Sequence, residues 1–156
     1  RCIMEEKNIF TVNINRNGQL WVEEEIVEIK NLRDKAMAFL DNGGVPSGSP
    51  EYCNYCKGAK DDSSSDNPNK AIISLKNDRE TQYSTYITVQ NELVGAYNEL
   101  RNREAMRLFK KNFVDMEAEY LNPETSDEVK EELKEKVRQI QALFPQKLSE
   151  AQTSAN

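Results

Sequence analysis

The sequence predicts an α+β fold: a small mixed β-sheet with helices packed on one face. Three observations predict it. Residues 9–15 alternate strictly, with Phe10, Val12 and Ile14 pointing one way and Ile9, Thr11, Asn13 and Asn15 the other, the pattern of a half-buried strand. Ala71-Ile72-Ile73-Ser74-Leu75 is a near-continuous apolar run, which reads as a strand in a central position. Apolar residues recur at helical spacing in separate stretches, over 29–40 and again after residue 84.

Each element follows from local chemistry. Asn17-Gly18 is the strongest short hairpin signal, so Leu20-Trp21-Val22 reads as the returning strand, with Trp21 a partly buried sheet residue. Ile29, Leu32, Ala36, Phe39 and Leu40 form one helical stripe, stopped by Asn42-Gly43-Gly44. Residues 43–69 are dense in Gly, Pro, Ser, Asn and Asp, a composition that favours turns, builds no apolar core and reads as an unfolded, flexible loop. Asn77 to Gln82 is polar and turn-like. A helix is then expected from about Ser84 to Leu100 through Tyr86, Val89, Leu93, Ala96, Tyr97 and Leu100, with Gly95 allowing close packing on the sheet or merely tolerated. The helical pattern continues over 105–120 and breaks at Asn122-Pro123. Thr125 and Glu128 fit a capping box for a helix with Val129, Leu133, Val137, Ile140 and Phe144 on one stripe, ended by Pro145. Lys147-Leu148-Ser149 reads as a short closing strand, and residues 153–156 as a disordered tail.

Composition bounds the function. The length of 156 residues fits one domain, residues 1–156, carrying a loop insertion at 43–69 and a helical insertion at 105–142. Net charge is −6, which argues against nucleic acid and weakly against an anionic membrane surface. The chain has no His, which removes the commonest general base and metal ligand. With no phosphate-binding Gly loop and no evident carboxylate pair, no hydrolase or transferase activity, cofactor or metal is expected. No run of 18 apolar residues occurs, and the chain opens on Arg1, which reads as an excised fragment or processed product.

Three stretches, VNINRNGQLWVEEEIVEIKNLRDKAMAFL, AIISLKNDRETQYSTYITVQNELVGAYNEL and FPQKLSEA, resemble the periplasmic domain of the ExbD/TolR family of biopolymer-transport proteins, in its Bacteroidetes form. VNINRNGQLWVEEEIVEIKNLRDKAMAFL, residues 12–40, is similar to the family's strand, polar-Gly turn, strand, short segment and helix. AIISLKNDRETQYSTYITVQNELVGAYNEL, residues 71–100, is similar to its strand ending near an Asp, polar bend, Tyr and helix, with Asp78, Arg79 and Tyr83 in those places. FPQKLSEA, residues 144–151, resembles the final strand. The resemblance covers about half the chain, and the segments 43–69 and 105–142 depart from it.

The resemblance implies a non-enzymatic part of an inner-membrane energy transducer. The parent would carry one transmembrane helix upstream, with this domain in the periplasm. It would couple proton flow to outer-membrane transport with an ExbB-like channel and a TonB-like protein. The alternative is a TolR-like module that binds peptidoglycan or the cell envelope, and a third reading is an independent redox enzyme built on the CxxC. The family's proton-carrying Asp lies in the membrane helix, so Asp78 is not that residue. Asp78, Arg79 and Tyr83 are candidate partner or wall contacts, set against turn formation with a local Asp78–Arg79 ion pair. The acidic turn Glu23-Glu24-Glu25 is explained by solvation or by a basic partner. A homodimer is expected, with the strand at 9–15 as candidate for exchange or edge pairing. A periplasmic location permits a disulfide between Cys53 and Cys56. A metal half-site completed by Cys2 and by Asp61 or Asp62, or a pair of free or redox-active thiols, stays open beside it. Cys2 itself is an unpaired thiol or an intermolecular bridge.

Overall fold

The alternation at 9–15 becomes strand β1, Ile9–Ile14, in a computed structural model that describes residues 5–153; Cys2 and residues 154–156 lie outside them. The other strands are β2 Leu20–Val22, β3 Glu25–Ile26, β4 Ile72–Asp78 and β5 Leu148–Thr153. They form one sheet in the order β3-β2-β1-β4-β5. β1 runs antiparallel to β2 and parallel to β4, and β4 runs parallel to β5, so the sheet is mixed. The helices are α1 Leu32–Leu40, α2 Tyr83–Phe109, α3 Phe113–Leu121 and α4 Asp127–Leu143. No helix among the described residues is long and apolar enough to cross a membrane.

Contacts divide the chain into two compact units, 1–96 with 147–156, and 97–146. In the first, period two decides what is buried. Phe10, Val12 and Ile14 on β1, Leu20 and Val22 on β2, and Ile73 and Leu75 on β4 are buried. Each such side chain contributes roughly 1.5–3 kcal/mol. Phe39 of α1 stacks on Phe10 with ring centroids 5.2 Å apart. Glu150 pairs in register with Leu75 on that same face and bonds to Tyr86 and Gln90 of α2. Both helices of this unit therefore cover one face, and the fold is the expected α+β. Trp21, 36% exposed, and Ile26 stand opposite each other on the uncovered face.

The hairpin turn is held by its own side chain: Asn15 Oδ1 accepts from the amides of Asn17 and Gln19 at 3.0 and 2.9 Å. Gly18 supplies the left-handed φ of 80°. Gly95 has a different task from sheet packing. A Cβ there would meet the Arg33 guanidinium at 2.5 Å, and that guanidinium pairs with Glu92 at 3.2 Å.

Four expectations need correction. β1 lies inside the sheet, paired on both sides, so it offers no edge for self-pairing; the edges are β3 and β5. β5 runs through Thr153, the first residue of the expected tail, because an edge strand bonded to β4 needs no apolar alternation. The helical pattern of 105–120 is interrupted: α2 ends at Phe109, Lys110 turns left-handed at φ 61°, and α3 starts at Phe113. The segment 43–69 is ordered. Cys53, Cys56, Ser65, Asp66, Asn67 and Pro68 are buried, because hydrogen bonds replace the apolar core its composition lacks. Its end is clasped to the start of β1: the Asn8 side chain exchanges two hydrogen bonds with Asp66, and Lys7 pairs with Asp66 at 3.0 Å.

The second unit buries Ala105, Phe113, Met116, Leu133, Val137 and Ile140 together, with Phe109, Tyr120, Val129 and Leu143 packed against them. Glu104 has no exposed surface and is held by Arg103 at 3.0 Å and Arg107 at 2.8 Å, as a buried charge requires. Arg101, also buried, donates to the Phe144 carbonyl at 3.0 Å and lies over the Phe113 ring, so the end of α4 is tied to α2. Burial draws its pKa down from the ordinary arginine value.

The cap of α4 sits one residue later than the capping box placed it. Ser126 Oγ accepts from the Val129 amide at 3.3 Å, while Thr125 Oγ1 donates to the Glu119 carbonyl at 2.7 Å. Glu128 is therefore at the second helical position, not the third that a capping box uses. Ser126→Ala should cost about 1 kcal/mol in urea unfolding and Glu128→Ala a few tenths. The reverse ranking would restore the capping box at Thr125.

Candidate functional site

The bend after β4 gathers the residues that the sequence singled out. Asp78 ends the strand, and its carboxylate accepts from the Glu80 amide at 2.8 Å, while its carbonyl accepts from Thr81 N. Thr81 Oγ1 donates to the Asn15 carbonyl at 2.9 Å, which ties the bend to the hairpin turn. Arg79 N donates to the Thr153 carbonyl at 3.0 Å, the last rung between β4 and β5. Asp78 and Arg79 form no ion pair among the described residues, so the expected local pair gives way to an aspartate-capped turn.

An open groove of about 410 Å³ lies beside this bend, lined by Asn77, Arg79, Thr81, Tyr83, Tyr86 and residues 150–152 of β5. Two of the three candidate contacts, Arg79 and Tyr83, reach it; Asp78 does not line it. Tyr83 opens α2 and is 76% exposed, its ring 6.4 Å from that of Tyr86. Tyr86 Oη donates to Glu150 Oε1, and Gln90 Nε2 donates to the same oxygen at 2.6 Å. The groove thus offers a guanidinium, an exposed phenol ring and a carboxylate fixed by two donors. Such a surface holds a polar ligand or chain segment by charge and stacking.

Sequence reasoning missed Tyr86, Gln90 and Glu150. Tyr86 and Gln90 follow Tyr83 at helical spacing on α2, which was legible. Glu150 joins them only through the parallel register Leu75↔Glu150, which local patterns do not carry.

The second site is the CxxC. Cys53 and Cys56 are disulfide-bonded, with Cα atoms 5.5 Å apart, and both are buried. The sulfurs that a metal half-site would use are therefore joined to each other. Asp61, one of the proposed completing ligands, accepts from Ser63 Oγ at 2.7 Å and from Ser63 N at 2.9 Å, and those bonds hold its pKa below the usual value. No group of three metal-ligating side chains occurs among the described residues. The Glu23 and Glu24 turn is left-handed at both residues and leads into β3, a strand the sequence reading left out.

No protein-family model matches this chain, and no curated protein matches it.

Burial, then the hydrogen bond and charge of Glu150, push the Tyr86 hydroxyl up from 10.0 to about 12. A folded value above the ordinary one means that its contribution to stability is intact below pH 10 and is lost as pH rises toward 12. Ultraviolet titration of tyrosinate should show one late component that Tyr86→Phe removes and Glu150→Gln moves down. A single transition at the ordinary tyrosine value in the folded protein would contradict the Tyr86–Glu150 bond.

Proposed function

We propose that this chain is a non-enzymatic periplasmic module of the ExbD/TolR kind, part of an inner-membrane transducer that works with ExbB-like and TonB-like proteins. The observation that carries the reading is the correspondence between resemblance and fold. Each segment that resembles the family forms the element the resemblance calls for: hairpin and helix over 12–40, strand, bend and helix over 71–100, and final strand after 147. Of the segments that depart from the family, 43–69 falls between those elements and 105–142 begins at the far end of α2. The groove at Arg79 and Tyr83 is the partner contact in this reading. A homodimer would use the sheet edges β3 or β5 in place of β1.

The test uses the full-length parent in membranes. Tyr83→Ala with Arg79→Glu should leave association with the ExbB-like protein intact and lower crosslinking to the TonB-like protein by about tenfold, on the order of 1.4 kcal/mol. Unchanged crosslinking would remove the groove from the reading. Failure of the wild-type parent to co-purify with any ExbB-like protein would remove the family. Retention on isolated sacculi, lost in the same double variant, would move the function to the TolR-like side.

A further inference from the structure

We infer that the Cys53–Cys56 disulfide is a redox latch that holds the segment 44–61 onto the end of α1, and that dithiol reductants release it. The inference is independent of the functional reading above. The end of α1 and the segment interlock through Asn42. Its Nδ2 donates to the carbonyls of Asp61 and Ser65, both at 2.8 Å, its Oδ1 accepts from Asp61 N at 3.0 Å, and its carbonyl accepts from Lys60 N at 3.1 Å. Asp41 receives the amides of Lys57 and Gly58 at 3.2 and 3.0 Å, immediately after Cys56.

On the side of the 41–44 turn this interlock leaves no spare room beside Cys56. A Cβ on Gly43 would stand 2.8 Å from Cys56 Cβ and 3.3 Å from its Sγ, and one on Gly58 would stand 2.7 Å from the Asp41 carbonyl oxygen. Two separate thiols need more space than a bonded pair, because non-bonded atoms repel well outside bonding distance. Cys56 therefore cannot draw back toward Gly43 on reduction; the separation is taken up by the segment that carries the cysteines, on the open side where Cys53 lies. The segment is the weaker partner. It is rich in Gly, Ser, Asn and Asp, and between 44 and 61 its buried apolar groups are the two cysteines themselves.

The latch is reachable although buried. Cys53 lines an open groove of about 300 Å³ with Pro50, Tyr52, Tyr55 and Pro68. Lys60 places its ammonium on the Cys53 carbonyl at 3.0 Å and over the Tyr52 ring, so a cation stands beside the approach of a thiolate. The chemistry balances as thiol–disulfide exchange. A thiolate of the dithiol attacks Cys53 Sγ, the S–S bond breaks, and Cys56 leaves as a thiolate and takes up a proton. The second thiol of the reductant then attacks its own sulfur in the mixed disulfide, freeing Cys53, which is protonated in turn. The protein gains two electrons and two protons, and the reductant leaves as a disulfide. Asp66, clasped to Asn8, keeps the far end of the segment attached.

Hydrogen exchange read by mass spectrometry, with and without dithiothreitol at neutral pH, tests this. The amides of Gly44, Gly58, Lys60 and Asp61 should exchange about tenfold faster or more after reduction, while those of β1 and β4 keep their protection, and reoxidation should reverse the change. Thiols that appear only when the whole sheet unfolds would overturn the inference. So would reduction without change at those amides, or loss of β1 and β4 protection in step with them. The double variant Cys53→Ser/Cys56→Ser should show the released pattern without reductant, and should it fail to fold, the wild-type comparison decides alone.

Discussion

The parallel pairing of β1 with β4 is the constraint on which the rest of the first unit depends. It aligns Ile9 with Ile72 and Ile14 with Asn77, and thereby puts Phe10, Val12, Ile73 and Leu75 on one face. Parallel neighbours cannot be joined by a tight turn, so the chain must cross over between them. That crossover carries the returning strand β2, the helix α1 and the whole segment 43–69. A one-residue slip of β4 against β1 would turn Ile73 and Leu75 outward. The covered face is also what brings Glu150 under Tyr86, so the groove depends on the same register.

The hairpin and the central strand were legible because their signals are local: alternation, Asn-Gly, and an apolar run bounded by polar residues. Where the sequence misled, a longer-range bond had replaced a local preference. Glu23 and Glu24 look like a solvated acidic turn, and they are one, yet the next two residues pair with β2 as an edge strand. Residues 150–153 carry no strand pattern, and their backbone is drawn into the sheet by its pairing with β4. Ser126 rather than Thr125 caps α4 because the Thr125 hydroxyl is used by the Glu119 carbonyl. At the groove, Arg79 and Tyr83 lie in one local bend that the sequence delimits, whereas the carboxylate opposite them comes from β5 through the β4–β5 register.

The segment 43–69 shows the limit of reasoning from composition. A scarcity of apolar residues excludes an apolar core, and it does not exclude order. Asn, Ser and Asp here supply the donors and acceptors that glycine-rich backbone would otherwise seek from water. Ser65 Oγ donates to the Phe39 carbonyl at 2.5 Å, and Asn67 Nδ2 to the Glu51 carbonyl at 3.2 Å, so side chains close turns that no repeating backbone ladder could. Order of this kind depends on every partner being in place, since each buried polar group left alone costs about 1–3 kcal/mol.

The clasp at Asp66 joins these two themes. Burial raises the cost of its charge, but hydrogen bonds from Asn8 and Lys7, with the charges of Lys7 and Lys70, outweigh it and hold its pKa below 3.8. A depressed folded value means that the clasp stabilises the fold above the ordinary carboxylate range and weakens as pH falls through the folded value. At neutral pH the clasp is therefore fully formed, and it acts on two elements at once. It fixes the far end of a segment that has no core of its own, and it fixes the residues that lead into β1. The strand whose register organises the sheet is thus anchored from outside the sheet, by the part of the chain whose composition gave no sign of structure.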